Sequence, residues 1–319
     1  MKRRLPRGAQ RTLRPVRFLA IWLTGIAGVA SSLCVFAADN DFTFHNDVRL
    51  VLLDASVHDR AGQFVPGLSR GNFTVFEDGR PQVISVFDDQ DAPVSMGILV
   101  DESASMTPQR AQVLTAADAL INDSNPADEA FVLNFNDTVT RGLPGKELFS
   151  GKPSELRSAL DRGRPQGRTA LYDAIVDGLH VLEAGTRGRR TLVLITDGGD
   201  TASIHKRADV INQLERSNAT VYAIGLIEED VYEVDPGFLN QLARVSGGEA
   251  FFPKDSAAIV DVCRRIAKEI RSRYTIGYVP RDDTGSGALR HLRVRVSAPD
   301  HSGLTVLTRT SYRYDKTSH

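Results

Sequence analysis

Two carboxylates and three hydroxyls of this chain occur where regular elements begin or end, and oxygen groups of these kinds are the ligands that a small divalent cation such as Mg²⁺ prefers. The five residues are Asp101, Ser103, Ser105, Thr169 and Asp197. The two carboxylates balance the charge of a divalent ion, and the neutral hydroxyls add ligands without adding charge. Such a set is expected to leave the ion electrophilic and one ligand short, so that an acidic group of a partner can complete it.

The spacing of the first three residues follows the geometry of an extended chain. Residues i, i+2 and i+4 of an extended segment point to the same side. Asp101, Ser103 and Ser105 can therefore converge above a sheet edge, because the apolar run 94–100 before them is predicted to be a buried strand. In open α/β sheets, ligands bind in the crevice at the carboxyl ends of the strands.

Each of these residues also has an ordinary structural explanation. The first three would fit a polar loop in which Ser or Asp caps the next helix. Thr169 would fit the N-cap of a helix that runs to about residue 183, and Asp197 would fit a turn in Thr-Asp-Gly-Gly-Asp. The metal-site interpretation is favoured because all of these features occur together, in one chain order and at three element ends.

In this order the residues resemble the metal-ion-dependent adhesion site of the von Willebrand factor type A (VWA) domain family, whose pattern is Asp-x-Ser-x-Ser, then Thr, then Asp. The resemblance covers about residues 92–272. It implies an α/β fold of the VWA or Rossmann-like kind, with a doubly wound, mostly parallel sheet between helices. It also implies that Mg²⁺ or Mn²⁺ is bound at the top of the sheet, and that a protein ligand offers an Asp or Glu side chain to the ion. The ligands implied are Asp101, Ser103, Ser105, Thr169 and Asp197.

Apolar periodicity predicts the elements that would position such a site. Residues 93–272 alternate strand and helix patterns, which indicates a mostly parallel sheet. Strands are expected at 94–100, 129–135, 190–196, 219–226 and 249–252, and helices near 108–122, 154–162, 169–184, 205–217, 236–245 and 256–272.

Two β-rich regions, residues 39–92 and 273–319, flank this central domain. Each has about 50 residues, and a lone domain of that size would be marginal. We therefore expect the two regions to pair into one β-sandwich with the central domain between them. Strands are expected at 48–57, 73–76, 83–87, 274–279, 291–297 and 304–314, a tight hairpin at the Asp-Gly pair 78–79, and a flexible loop at 282–287.

The order of these regions resembles an exported bacterial subgroup of the family, whose function is poorly defined. In that subgroup a segment like residues 71–79 of this chain precedes the adhesion motif, and a segment like residues 274–278 follows the last helix. The resemblance thereby extends to nearly the whole chain after its first 38 residues.

Residues 1–38 have the form of an export signal. A basic stretch without acidic residues precedes the uncharged run 18–38, and Ala37 and Ala38 offer a cleavage site. Cleavage is favoured because of these alanines, although an apolar run of about 20 residues would also span a bilayer as an uncleaved anchor. That anchor would be the chain's contact with a membrane. Either way the remainder is expected to be exported to the periplasm, the cell surface or the medium, with a bacterial envelope favoured.

Composition argues against some classes of protein. The chain has 319 residues, of which 39 are basic and 40 acidic, and its net charge without residues 1–37 is −8. An acidic exported chain is a poor nucleic-acid binder. Cys34 would leave with the signal, so Cys263 would have no internal disulfide partner and is expected to be a small buried residue. An exported protein without disulfides suits a bacterial envelope.

The function expected is a non-enzymatic, metal-dependent module for protein binding or adhesion. A Mg²⁺-dependent phosphohydrolase with Asp101 as nucleophile is disfavoured, because that pattern wants a second acid in place of Ser103 and a lysine near Asp197. A VWA scaffold that uses no metal stays open as an alternative. Glu102, between the ligand positions, is predicted to face solvent. Helix or turn roles are favoured over ligand roles for Asp137, Asp173 and Asp200.

Overall fold

Residues 50–226, 235–281 and 287–314 are described by a computed structural model. All of them belong to one compact unit that spans residues 47–319. The predicted export segment 1–38 and most of the predicted loop 282–287 lie outside the described residues.

The described strands, in chain order, are β1 (Val51–His58), β2 (Phe73–Glu77), β3 (Arg80–Gln82), β4 (Ile84–Asp88), β5 (Val94–Asp101), β6 (Glu129–Phe135), β7 (Val139–Arg141), β8 (Arg189–Thr196), β9 (Thr220–Gly225), β10 (Ala250–Phe251), β11 (Tyr274–Tyr278), β12 (Ala288–Val296), β13 (Thr305–Leu307) and β14 (Ser311–Tyr314). The described helices are α1 (Arg110–Asp123), α2 (Pro153–Leu160), α3 (Leu171–Glu183), α4 (Arg207–Arg216), α5 (Pro236–Ser246) and α6 (Ser256–Arg271).

The central sheet has six strands in the order β10-β9-β8-β5-β6-β7. The first five are parallel, and β7 adds an antiparallel edge that the sequence patterns did not predict. Every residue of β5 is buried, because helices cover the sheet, and a strand covered on both faces is apolar throughout. Helix α1 packs beside α6 and α2, while α4 packs beside α3 and α5. The predicted doubly wound α/β fold is confirmed.

The flanking strands form two antiparallel sheets, ordered β13-β1-β11-β4 and β14-β12-β2-β3. Each sheet contains strands from both sides of the central domain. Their apolar side chains share a second core, which includes Leu53, Val75, Tyr274 and Leu292. The predicted β-sandwich is thereby confirmed, and its sheets need both halves of the chain to be complete.

Local details support some sequence expectations and correct others. Asp78 and Gly79 have φ values of 48° and 80°, as a tight two-residue hairpin between β2 and β3 requires. The strand predicted at 304–314 is two strands that lie in different sheets, since β13 pairs with β1 and β14 with β12. The chain between them crosses to α5, where the amide of Thr310 donates to the carbonyl of Val245 at 3.2 Å.

Candidate metal centre

Asp101 and Thr196 end two neighbouring parallel strands, β5 and β8, at the same edge of the central sheet. Thr196 Oγ1 donates to Asp101 Oδ2 at 2.6 Å. The amide of Ser103 donates to Asp101 Oδ1 at 2.8 Å. The Asp101 carboxylate is thus held in one orientation from both sides, by a hydroxyl and by the backbone of its own loop.

A continuous series of oxygens crosses from the loop after β5 to the loop after β8. Ser103 Oγ lies 3.0 Å from Ser105 Oγ, and Ser105 Oγ donates to Asp197 Oδ1 at 3.0 Å. Ser103 and Asp197 are buried, whereas Ser105 is exposed. The structure therefore brings four of the five predicted residues into one cluster, which opens to solvent at Ser105.

Thr169 belongs to a third loop, which reaches the same place just before α3. Its amide donates to Thr201 Oγ1 at 3.0 Å, and its carbonyl accepts from the amides of Thr201 and Ala202. A Cβ built on Gly198 would lie 3.5 Å from Thr169 Oγ1, so the hydroxyl of Thr169 faces the loop that carries Asp197. The fifth predicted residue thus borders the cluster.

Thr169 is not the N-cap of α3, as the ordinary explanation of this residue would require. The helix begins at Leu171, and Ala170 occupies the N-cap position without a side-chain hydrogen bond. The loop is fixed instead by the amide of Ala170, which donates to the carbonyl of Asn136 at 2.7 Å.

The electrostatics of Asp101 fit a bound cation. The residue is 1% exposed, and burial raises the pKa of its carboxyl group, while the hydrogen bonds from Thr196 and Ser103 lower the pKa in part. No lysine, arginine or histidine of the described ranges forms an ion pair with Asp101. Removing a carboxylate from water is unfavourable unless a positive charge compensates it, and a divalent ion between Asp101 and Asp197 would do so.

The donor set therefore fits a hard divalent cation bound through hydroxyl and carboxylate oxygens. Within the part of the chain that the structure describes, no group of three or more His, Cys, Asp or Glu side chains is placed to hold a metal ion. A metal at this sheet edge would thus depend on the serine and threonine hydroxyls as well as on the two aspartates.

The prediction that Glu102 faces solvent is wrong, because its side chain is buried. Its side chain is 2% exposed and pairs with Arg110, whose Nε lies 2.9 Å from Glu102 Oε2. Burial raises the pKa of Glu102, and the Arg110 guanidinium lowers it in part. The partner that makes this burial possible stands eight residues later, at the start of α1.

Asp173 and Asp200 hold loops rather than facing the cluster. Asp173 accepts hydrogen bonds from the amides of Ile204 and His205, and His205 Nδ1 lies 2.7 Å from its Oδ1. Asp200 Oδ1 accepts from the amide of Tyr172 at 3.1 Å. Both carboxylates thereby tie the loop 200–205 to the first turn of α3.

Asp137 lies beside the loop before Thr169, where its Oδ1 accepts from Arg168 Nε at 3.0 Å.

Thr196 and Thr201 are the supporting residues that the sequence patterns missed. Thr196 is the last residue of a strand that the sequence predicts to be buried, and the neighbouring residues do not indicate that its hydroxyl bonds a carboxylate on the adjacent strand.

Comparisons with known proteins agree with the fold of the central domain. The model of the von Willebrand factor type A domain family matches residues 96–265. A search of curated proteins gave no match. Among solved structures, the chain is similar to a von Willebrand factor type A protein from Catenulispora acidiphila, with 12% identity and a TM-score of 0.51 over 86% of this chain and 76% of that chain.

The chain is also similar to proximal thread matrix protein 1 from the mussel byssus, with 16% identity and a TM-score of 0.50 over 61% of this chain and 51% of that chain. A second structure of the mussel protein has a zinc-occupied metal-ion-dependent adhesion site (MIDAS) motif. Its similarity to this chain is 17% identity and a TM-score of 0.47, over 61% of this chain and 49% of that chain. At such identities these likenesses concern the fold. Because the family model matches more than half of this chain, the chain belongs to the von Willebrand factor type A domain family, whose members are generally protein-interaction and adhesion modules.

Proposed function

We propose that this protein is a metal-dependent binding module that captures an acidic side chain of a protein partner through Mg²⁺ or Mn²⁺. The ion would be held by the five oxygen-bearing residues Asp101, Ser103, Ser105, Thr169 and Asp197. The observation that carries the proposal is the oxygen series from Ser103 through Ser105 to Asp197, beside the buried carboxylate of Asp101.

The residues of the cluster have distinct parts in this function. A bound ion would supply a Lewis acid that attracts a carboxylate of the partner. Thr196 and the amide of Ser103 fix the orientation of Asp101, so little reorganisation is needed for the ion to bind. Ser105 is exposed, and the partner would therefore approach on its side of the cluster.

We propose a binding role rather than an enzymatic one. A phosphohydrolase would need a second acid beside the nucleophile, and that place is taken by Ser103, whose hydroxyl bonds Ser105. Glu102, the next residue along the chain, is also engaged, because it pairs with Arg110. A VWA scaffold that binds no metal is the alternative, and titration with Mg²⁺ and Mn²⁺ distinguishes it from a metal-dependent module.

We further propose that the protein acts in a bacterial envelope after export through residues 1–38, with β regions 39–92 and 273–319 around the central domain 93–272. The basic and then uncharged composition of the first 38 residues supports export. Among the described helices, none is long and apolar enough to cross a membrane.

Calorimetric titration of Mg²⁺ and Mn²⁺ into the purified protein tests the proposal. Asp197→Ala should abolish binding, whereas Asp261→Ala, which removes an exposed carboxylate from α6, should leave it unchanged. Absence of binding in the unsubstituted protein would favour the metal-free scaffold.

Capture of a carboxylate is tested with a small probe. N-acetyl-aspartate amide should shift the amide NMR signals of Ser103 and Ser105 in the presence of Mg²⁺, and the asparagine analogue should not. Equal shifts with both compounds would contradict recognition of an acidic group.

A further inference from the structure

Glu102 stands inside the Asp-x-Ser-x-Ser motif, between two proposed ligands, yet its side chain turns away from them into the protein. Oε2 accepts a hydrogen bond from Arg110 Nε at 2.9 Å. Oε1 is buried and accepts no hydrogen bond from the described residues. A buried carboxylate with one unsatisfied oxygen is unfavourable for stability, which indicates that its position serves another purpose.

The partner of Glu102 connects the motif to the loop that carries Thr169. Arg110 Nη2 donates to the carbonyl of Gly163 at 2.8 Å and to the carbonyl of Leu160 at 3.3 Å. The guanidinium therefore bridges the Glu102 carboxylate and the start of the segment 161–169. An arginine is suited to this bridge, because its planar group donates several hydrogen bonds in fixed directions.

The main chain of Glu102 makes the same connection. Its carbonyl accepts from the amide of Gln166 at 2.8 Å, and the amide of Ala104 donates to the carbonyl of Gly167 at 3.1 Å. On the other side, the amide of Glu102 donates to the carbonyl of Phe135 at 2.7 Å. The loop that carries the Asp-x-Ser-x-Ser motif is thus hydrogen-bonded on one side to β6 and on the other to the segment that leads to Thr169.

Gly163 marks the closeness of this packing. A Cβ built on Gly163 would collide with Glu102 Oε1, although the φ of Gly163 lies outside the left-handed region that favours glycine. An alanine at this position would therefore be disfavoured by its contact with Glu102 rather than by its backbone conformation.

We propose that Glu102 and Arg110 form a positioning pair, which aligns the segment carrying Thr169 with the loop carrying Asp101, Ser103 and Ser105. This inference rests on the proposed function, since the aligned groups are the proposed metal ligands. Neither member of the pair belongs to the proposed set of ligands. Residues that orient metal ligands in this way typically change metal affinity about 10–100-fold when they are substituted.

Two substitutions separate positioning from a simple effect of charge. Glu102→Gln removes a negative charge near the site, and Arg110→Gln removes a positive one. If only charge mattered, the first would weaken Mg²⁺ binding and the second would strengthen it. If the pair positions the loops, both should weaken binding, by about 10–100-fold.

Gly163→Ala perturbs the pair from the opposite side without changing any charge. It should also weaken Mg²⁺ binding, because the added methyl group displaces the Glu102 carboxylate. Gly188→Ala is the matched control: a Cβ there meets nothing within 4 Å, and the φ of Gly188 is likewise outside the left-handed region. Affinity should be unchanged in this control.

A second measurement needs no metal. Hydrogen exchange at the amides of Ala104 and Gln166, which bond across the two loops, should be faster in Glu102→Gln and Gly163→Ala than in the unsubstituted metal-free protein. Exchange in the central strand β5 should stay the same, which would show that the fold is retained.

The outcomes distinguish this inference from the proposed function. The unsubstituted protein could bind no metal while hydrogen exchange at the amides of Ala104 and Gln166 is still faster in the variants. In that case the proposed function fails, and the alignment of the two loops by Glu102 and Arg110 stands. If Mg²⁺ binds equally well to the protein and to all three variants, or if loop exchange does not change, the positioning pair is overturned.

Discussion

Arg273 Nη2 donates to the hydroxyl oxygen of Tyr222 at 2.9 Å, where the end of α6 meets β9 and the β-sandwich begins. Both side chains are buried. The same nitrogen donates to the carbonyl of Gly247 at 2.8 Å and lies 3.6 Å from Glu269 Oε1. One guanidinium therefore links the central sheet, α5 and α6 just before the chain enters β11.

Arg273→Ala should lower the free energy of unfolding by about 3–5 kcal/mol, because it leaves the buried Glu269 carboxylate without its cation. Urea denaturation measures the change. Arg293→Ala is the control, since Arg293 is exposed on β12 and stacks over Phe76. A loss of stability no larger than that of the control would contradict a structural role for Arg273.

Thr196→Val should weaken Mg²⁺ binding by about tenfold or more, because it removes the hydrogen bond that orients Asp101. Valine keeps the shape of threonine and suits a buried strand, so the fold should be retained. Calorimetry gives the affinity. Thr115→Val, which removes an exposed hydroxyl on α1, should bind Mg²⁺ as the unsubstituted protein does. Equal affinities in all three proteins would exclude a role for Thr196.

Stability should decrease as the pH falls through the pKa of His58. Burial lowers the pKa of this buried histidine on β1 below 6.5, an effect that Glu269 and Asp59 oppose and Arg265 and Arg273 reinforce. Between the lowered pKa and 6.5 the unfolded chain binds more protons than the folded chain, so the stability that His58 contributes is present above 6.5 and is lost below it.

Urea denaturation at pH 7.5 and pH 5.5 tests this dependence. Part of the destabilisation at pH 5.5 should disappear in His58→Gln, which cannot take up the proton. His180→Gln, which replaces an exposed histidine on α3, serves as the control. The prediction is wrong if His58→Gln and the unsubstituted protein lose the same free energy between the two pH values.

Glu77→Ala should destabilise the sandwich by about 3–5 kcal/mol, because Glu77 is the acidic partner of a buried ion pair. Arg290 Nη1 donates to Glu77 Oε1 at 2.6 Å, and the hydroxyls of Tyr278 and Tyr312 donate to Oε2 at 2.5 and 2.7 Å. Tyr312→Phe, which removes one hydrogen bond to this carboxylate, should cost less, about 1.5–3 kcal/mol. Thermal unfolding compares the stabilities of the two variants. Equal losses of stability would contradict the prediction that Glu77→Ala is the more destabilising substitution.

Periodicity predicted the elements of the central domain well, because most of them are decided by burial. The helix expected near 108–122 is Arg110–Asp123, and the strand expected at 129–135 has those bounds. The prediction of one continuous strand at 304–314 was wrong, because burial alone does not decide this segment. Its apolar pattern is continuous, but the pattern carries no sign that the chain changes sheets near Thr310 to pack against α5.

The five candidate ligands were identified through their types and order, whereas the residues that support them were not. Glu102 illustrates the difference. A charged residue in a polar loop is expected to be solvated, and its burial depends on Arg110 and on the absence of a side chain at Gly163. These groups are brought together by the fold, so that local sequence patterns contain little information about them.

Asp88 and Thr275 face each other across β4 and β11, so the chain leaves the sandwich after Asp88 and returns to it beside the same residue, with residues 89–273 between the two strands. For the sandwich, the whole central domain is a single loop. Closing a loop of unfolded chain costs entropy that grows with the logarithm of its length, and a domain that has already folded brings its ends together beforehand. Pairing of β4 with β11 then becomes a short-range event, and this topology favours a folding order in which the central domain forms first and the sandwich second.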